Sequence, residues 1–540
     1  MGSFTLSAKI VIYFGSSKKK DGKFGGSGFF PYFCRLKNKD DLQKETKDSY
    51  SHVLKYTGIF GGVQGLNIVV SLVRNKLVAV LLGPNGMGLA SLFNTTVTFI
   101  SQATNLGISF SAVKHVSELF ERGNEEEITH FVKVVRAWSM LTALVGMLVC
   151  IVAGPLLSSY TFAWGNHTQH FVLLSPAVGL LAVTGGEMAI LKGARQLRSL
   201  AVIQIYSVLS ALIISVPIYF YFNQAGIVPV IVLMALMSML LTIRHSYRLY
   251  PLQLRGAKGV LGEGMEMVRL GLAFVVAGIL GSGAEMLIRS YLNVATGDLD
   301  VVGLYNAGYV LTITYAGMVF SAMETDYFPR LSSVNNDVAA LNMTVNRQIE
   351  VSLLIVSPML AALIVGLPIL IPLLFSSKFL PMVGMAQVAV FAMYIKAVSL
   401  PVSYITLAKG DSIGYMVLEA IDDVLLVVFI IVGYRLWGLQ GTGVALTMSY
   451  VVDIVLVGVY TWWRYRYRLS MQVLQYAGIQ FTLGVCVYIV TLVDNALIYW
   501  SLGTLICLAS LLVSISILHQ KTSLWSALKT KLRNRFHRHD

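Results

Sequence analysis

Arg74 and Arg289 stand inside long apolar runs, where a charged side chain is costly to insert and marks a functional site by default. Gln64, Asn67 and Ser71 precede Arg74 at helical spacing, so at about 100° per residue they form one narrow polar stripe ending on the arginine. Gly278, Ser282, Glu285, Arg289 and Asn293 form a second stripe. Asn94, Thr98, Ser101, Gln102, Asn105 and Ser109 form a third, and Lys396, Ser399, Ser403 and Thr406 a fourth. A planar guanidinium grips two phosphate oxygens at once, so Arg74 and Arg289, with Lys396 in support, are candidate ligands for a diphosphate. Gln64, Asn67, Ser71, Asn94, Thr98, Asn105, Ser282 and Asn293 are candidates for lining a polar cavity. The competing reading is helix packing, because small polar residues let helices approach and hydrogen-bond across an interface.

Carboxylates form another constellation. Glu419, Asp422 and Asp423 share one helical patch, and Asp453 follows in the next apolar run. Such groups bind Na⁺ or exchange protons and so couple a cargo to an ion gradient; the competing reading is pairing with Lys396 or other basic groups. Glu285 lies one turn before Arg289 in ion-pairing register, whereas Glu187 is expected to pair with Lys192 or Arg195. Lys76 lies about 200° around the helix from Arg74 and is expected to snorkel to the interface. The chain lacks a Gly-x4-Gly-Lys-Ser/Thr sequence, which argues against ATP hydrolysis. His167 and His170 have no thiol or carboxylate beside them to complete a metal site. No metal or cofactor is expected apart from a coupling Na⁺ or H⁺.

The elements that hold these residues follow from composition. Of 540 residues, 56% are hydrophobic and 13% charged, with a mean hydropathy of +0.70. A soluble chain carries about a quarter charged residues, so the bilayer is the solvent here. A soluble enzyme, a disulfide scaffold and a disordered protein are excluded; Cys34, Cys150, Cys486 and Cys507 are too scattered for a cystine framework or a zinc site. Apolar runs near the ~20 residues needed to span the hydrocarbon lie at 57–82, 88–112, 131–156, 169–192, 200–222, 225–246, 267–293, 300–325, 350–376, 383–408, 413–434, 439–462, 473–493 and 496–519. The expected fold is an all-α polytopic membrane protein of about 14 transmembrane helices.

Orientation follows from the basic residues. With both termini placed in the cytoplasm, 35 of the 41 Lys and Arg fall in cytoplasmic segments and their flanks, and two, Lys378 and Arg435, in outer joins. The net charge of +14 therefore faces an anionic inner leaflet, and nucleic acid is not an expected partner. The two halves repeat. Shifting the sequence by 215 residues lays Gly88 and Leu89 on Gly303 and Leu304, Arg74 on Arg289, Asn67 on Ser282, and Asn75 on Ser290. Both copies run from inside to outside, so this is a parallel repeat about an axis along the membrane normal.

The stretch Lys76–Leu89 (KLVAVLLGPNGMGL) and its echo around Gly303–Asn306 resemble bacterial polysaccharide flippases, the O-antigen or Wzx-type translocases. Their superfamily also holds multidrug and toxin extrusion transporters and lipid II flippases. The resemblance covers roughly residues 50–520 by pattern, with its specific motif in the first two spans. It implies two six-helix lobes around a central cavity, alternating access, and a polyprenyl-pyrophosphate-linked oligosaccharide as cargo, turned from the inner to the outer leaflet of the bacterial inner membrane. It also implies transport and not catalysis, with a polysaccharide polymerase and chain-length machinery as further partners beside the membrane lipids. The division expected is a flexible basic cytoplasmic extension at 1–52, a first lobe at 53–248, a second lobe at 249–468, two additional helices at 469–519 and a basic cytoplasmic tail at 520–540. The alternative is a cation-coupled multidrug exporter of the same fold.

Overall fold

A computed structural model describes residues 39–162, 165–252, Gly262 and 264–521, and among these there is helix but no strand. Much of the expected extension at 1–52, and 522–540 of the expected tail, lie outside the described residues. In lipid the backbone must satisfy its own N–H and C=O groups, and helices are the open-chain way to do so. The helices are α1 (Lys39–Thr104), α2 (Ile108–Arg122), α3 (Glu125–Val152), α4 (Gly154–Thr161), α5 (Thr168–Gly193), α6 (Leu197–Phe222) and α7 (Ile227–Leu249). Then come α8 (Met265–Thr296), α9 (Leu299–Tyr309), a π-helical segment (Val310–Tyr315), α10 (Ala316–Ser333), α11 (Val338–Leu374), α12 (Val383–Ala389) and α13 (Phe391–Ala408). The chain closes with α14 (Ser412–Tyr465), α15 (Met471–Thr491) and α16 (Ala496–Lys521). Eight apolar stretches among the described residues are long enough to cross a membrane, and two of them, Gly65–Thr104 and Leu197–Leu249, turn back midway. This is a multi-pass membrane protein.

Three breaks are set by backbone chemistry. α1 bends at Gly83, whose φ of 65° lies in the left-handed region, and Pro84 opens its second limb. α14 folds on itself at Trp437 and Gly438 (φ 57°), and Gly433 lies so close to Gly441 that a Cβ on either would meet the other's carbonyl oxygen. The expected span 88–112 is shorter than its apolar run. It ends at Thr104, Leu106 (φ 50°) and Gly107 (φ 70°) break it, and the chain resumes as α2. The break lets Gly107 press against Gly271 of α8, where a Cβ would sit 2.3 Å from the carbonyl oxygen.

Polar contacts sort the helix ends into two groups. Gln224 Nε2 meets Asn85 Oδ1 at 2.9 Å, Asn293 Nδ2 meets Thr161 O at 2.7 Å, and Arg435 Nε meets the Tyr291 hydroxyl at 3.2 Å. At the opposite end Lys409 Nζ meets Asn335 O, Asn346 Nδ2 meets Arg468 O at 3.1 Å, and Arg136 Nη2 meets Tyr250 O at 2.9 Å. This grouping agrees with alternating spans, and the loop charges lead to the expectation that the Gly83 end faces outside. Reporter fusions should read external after Leu299 and internal after Tyr467. Either reading inverted would overturn the topology.

The repeat takes physical form where the second limb of α1 meets α9. A Cβ on Gly88 would sit 2.2 Å from Leu299 O, and a Cβ on Gly303 would sit 1.9 Å from Pro84 O. Pro84 and Leu299 are themselves 215 residues apart, so the two contacts are one contact made twice about a pseudo-twofold axis. Ser91 and Asn306, again separated by 215, hydrogen-bond each other across that axis at 2.9 Å. The two halves are thus zipped at the Gly83 end by backbones in van der Waals contact, which only glycine permits.

Candidate functional site

Arg289 lies in this seam and is 5% exposed. Its Nε donates to Ser91 Oγ at 2.8 Å and its Nη2 to Asn306 Oδ1 at 3.1 Å, so one guanidinium spans the symmetry-related pair. Nη1 donates to Glu285 O at 3.1 Å and lies 3.5 Å from Glu285 Oε2, while the rings of Tyr305 and Tyr309 cover the cation at 5.9 and 5.7 Å. The expected ion pair with Glu285 is present. The repeat would send Arg74 to Asn306 as Arg289 goes to Ser91. Arg74 instead turns into its own lobe, its Nε donating to Ser215 Oγ of α6 at 3.3 Å and its Nη2 to Met234 Sδ of α7 at 3.5 Å. The two arginines therefore do not converge in this conformation. Asn306 Oδ1 is already filled by Ser91 and Arg289, which leaves Arg74 no place there.

The neighbours of Arg74 also cross between lobes. Asn75 Nδ2 donates to the Tyr315 hydroxyl at 2.6 Å, at the last residue of the π-helical segment. Lys76 does not snorkel: its Nζ donates to Pro372 O of α11 at 2.6 Å, a carbonyl near the end of a helix where intrahelical donors run out. Lys396 of α13 lies half-buried in the second lobe, with the rings of Phe320 and Tyr450 at 6.0 and 5.9 Å.

The polar stripes divide. The Gln64 side chain falls outside the described residues. Asn94 is exposed, with Nδ2 donating to Ala90 O, and Thr98, Asn105 and Ser282 are half-buried. Thr98 and Ser282 bond carbonyls one turn back, at 2.8 and 2.5 Å, and Asn105 Nδ2 bonds Ser109 Oγ at 2.5 Å. Asn67 and Ser71 are buried, so packing takes them out of any open space. Asn293 is fully buried and spends its amide on Thr161 O, which ties α8 to α4 and does not line a cavity. Gln102 faces Gly278, and Phe99 faces Gly283, so α8 rests along the whole second limb of α1.

Among the described residues no three of His, Cys, Asp and Glu are placed to hold a metal ion, but the α14 carboxylates lie within electrostatic reach of one another. Asp422 Oδ1 accepts from Ser449 Oγ at 2.9 Å, joining the two limbs of α14 one turn from Asp453. Asp422 lies within electrostatic reach of Asp453, Glu419 and Asp423, and Asp423 within reach of Glu419 and of Glu285 on α8. A Cβ on Gly281 would sit 3.6 Å from Asp423 Oδ2, so the cluster abuts α8 one turn below Glu285. Sequence spacing placed the first four together but missed Glu285, because that contact spans two helices far apart in the chain.

A separate buried pair stabilises the first lobe. Glu187 Oε1 accepts from Arg136 Nε at 2.8 Å, and its Oε2 accepts from Ser246 Oγ at 2.5 Å. Glu187 thus pairs with α3 and not with Lys192 or Arg195, which follow it in the chain. The side chains are 10% and 3% exposed, so removing one leaves the other buried and uncompensated. Glu187→Ala should cost about 3–5 kcal/mol. Thermal unfolding in detergent should show a lowered midpoint, with the paired Arg136→Met and Glu187→Leu change restoring part of it.

Residues 77–384 match the model of a family described as polysaccharide biosynthesis protein. The chain belongs to that family. The match contains both glycine copies, Ser91, Arg289 and Asn306, and stops short of Lys396 and the α14 carboxylates. Among family relatives and solved structures, the lipid III flippase of Escherichia coli K12 is 23% identical over 418 residues, covering 74% of this chain and 96% of that one. The structure of the lipid II flippase MurJ in an inward closed conformation superposes with a TM-score of 0.69 at 14% identity, over 86% of this chain and 99% of the other. An inward-facing multidrug resistance MATE family transporter of the MOP superfamily superposes at 0.62 and 14%, over 74% and 94%. The chain therefore has the fold of these solved structures.

Proposed function

We propose that this protein is a flippase for a polyprenyl-pyrophosphate-linked oligosaccharide, a polysaccharide or O-antigen repeat unit, in the bacterial inner membrane. The carrying observation is the seam: two parallel lobes joined at one end by reciprocal glycine contacts, an arrangement suited to rocking open and shut. Family membership and the lipid III flippase relative support the cargo class. In this reading the diphosphate meets Lys396, and Arg74 once it leaves Ser215 and Met234, the glycan is solvated by Asn94, Thr98, Asn105 and Ser282, and the polyprenyl tail stays in lipid. Arg289 joins the diphosphate only once the seam releases it. The carboxylates Glu419, Asp422, Asp423 and Asp453 bind Na⁺ or H⁺ to drive the cycle. A polymerase and chain-length machinery would receive the product.

The test is reconstitution in vesicles with a lipid-linked oligosaccharide, scored by an impermeant glycan-cleaving enzyme or lectin that reaches only one leaflet. Cargo should change leaflet with the wild-type protein. Arg74→Ala should block it while leaving insertion intact, and Arg74→Lys, which keeps charge but loses the fork, should impair it partially. The carboxylates beside α8 favour a second reading, a cation-coupled multidrug exporter. Cells expressing the protein would then gain drug resistance, and vesicles would leave the glycan unmoved.

A further inference from the structure

The outer seam and the carboxylate cluster share one residue. Glu285 touches Arg289 through its carboxylate at 3.5 Å and through its backbone carbonyl at 3.1 Å. One turn deeper on the same helix, Gly281 abuts Asp423. Glu285 therefore stands between the arginine that bridges Ser91 and Asn306 and the acids of α14. Its side chain is 37% exposed against 6% for Arg289, so it is the accessible half of the pair. The charged and titratable groups around it are Arg289 on its own helix, Asp423 on α14, and Tyr305 and Tyr309 on α9, while Glu419 acts on Asp423.

We infer that Glu285 is the positioning residue that links cation occupancy of the α14 carboxylates to opening of the outer seam. With the cluster empty of cations, repulsion from Asp423 biases the Glu285 carboxylate toward Arg289, which holds the guanidinium on Ser91 and Asn306. A proton or Na⁺ shared between Glu285 and Asp423 removes that bias and gives Glu285 a competing partner. Arg289 then loses its only carboxylate contact among the described residues, and what remains across the axis is neutral hydrogen bonding and glycine packing. The inference rests on the ion-coupled reading above. It also accounts for the broken symmetry: Arg74 has no acid one turn before it, so only the second copy is tied to an ion site.

The experiment reads the seam directly and needs no cargo. In full-length protein with its four native cysteines replaced, Asn94→Cys places a thiol about 4.5 Å further down the limb than Ser91, below the seam. Intact cells are exposed to a membrane-impermeant thiol reagent from outside. Glu285→Gln should raise the labelling rate roughly tenfold, the scale of one lost hydrogen bond to a charged group. Imposed external Na⁺ or acid should raise labelling in the parent and not in Glu285→Gln. Glu285→Asp should fall between. A Ser91→Cys and Asn306→Cys pair, bridged by a short bifunctional reagent, should suppress labelling in every background. If Arg289→Ala raises labelling while Glu285→Gln does not, Arg289 acts without Glu285 and the inference is overturned. Equal labelling in all variants overturns it as well. Labelling that responds as expected in a protein that leaves lipid-linked glycan unmoved keeps the link and removes the cargo assignment.

Discussion

Alanine at Gly303 or Gly88 should reduce transport by about tenfold to a hundredfold, matching the ~1–3 kcal/mol of overpacking a tight contact. The added methyl at Gly303 would sit 1.9 Å from Pro84 O, and the one at Gly88 would sit 2.2 Å from Leu299 O. Both obstacles are backbone atoms on opposing helices and cannot swing aside as a flexible side chain would. The lobes must then stand apart at the outer end, and the closed state is lost without any change in charge. Gly65→Ala is the matched control, because no atom lies within 4 Å of its added Cβ. Leaflet exchange should be measured with membrane abundance in the same samples. Wild-type exchange by Gly303→Ala would mean that the seam does not close during the cycle.

Neutralising the α14 acids should separate driven from passive movement. Asp422→Asn is expected to lose the gradient-dependent part of transport by about tenfold or more, on the scale of one buried charge-assisted contact. It sits at the centre of the group, bonded to Ser449 and within reach of three other carboxylates. Glu419→Gln, Asp423→Asn and Asp453→Asn should show graded losses. Each change removes like-charge repulsion, so folded protein should be retained. The measurement is exchange with and without an imposed Na⁺ or proton gradient. Four neutral variants that all respond to the gradient as wild type would place coupling elsewhere.

Much of the architecture was legible because hydrophobic runs report on lipid and glycines report on close backbones. Gly88 and Gly303 were readable as a repeat from their common spacing to Arg74 and Arg289, and their reciprocal contact is the physical reason for that spacing. The stripe on α8 was readable too, and its Glu285–Arg289 pair lies within one helix. What failed was anything decided between helices. Arg74 found Ser215 and Met234, which lie 141 and 160 residues away, and Glu187 found Arg136 across 51 residues. Asn67, Ser71 and Asn293 obey the same periodicity as the accessible residues but face neighbouring helices. Periodicity names a face, and only packing says what that face meets. The π-helical turn at Val310–Tyr315 left no mark in the residue pattern.

The doubled glycine contact has the form of an isologous dimer interface, in which one surface patch meets its own copy about a twofold axis. In such an interface residue i of one subunit touches residue j of the other, and j touches i in return. Gly88 on Leu299 and Gly303 on Pro84 satisfy that relation within a single polypeptide. A half-length ancestor carrying one such motif would have closed on a second copy through the same surface, with every substitution counted twice. Within one polypeptide that constraint does not apply. Ser91 and Asn306, which a strict repeat would make identical, are a donor and an acceptor to each other, and a single arginine reads the difference. Expressed as two separate lobes, this chain should still assemble as a pair of unlike halves through that same patch.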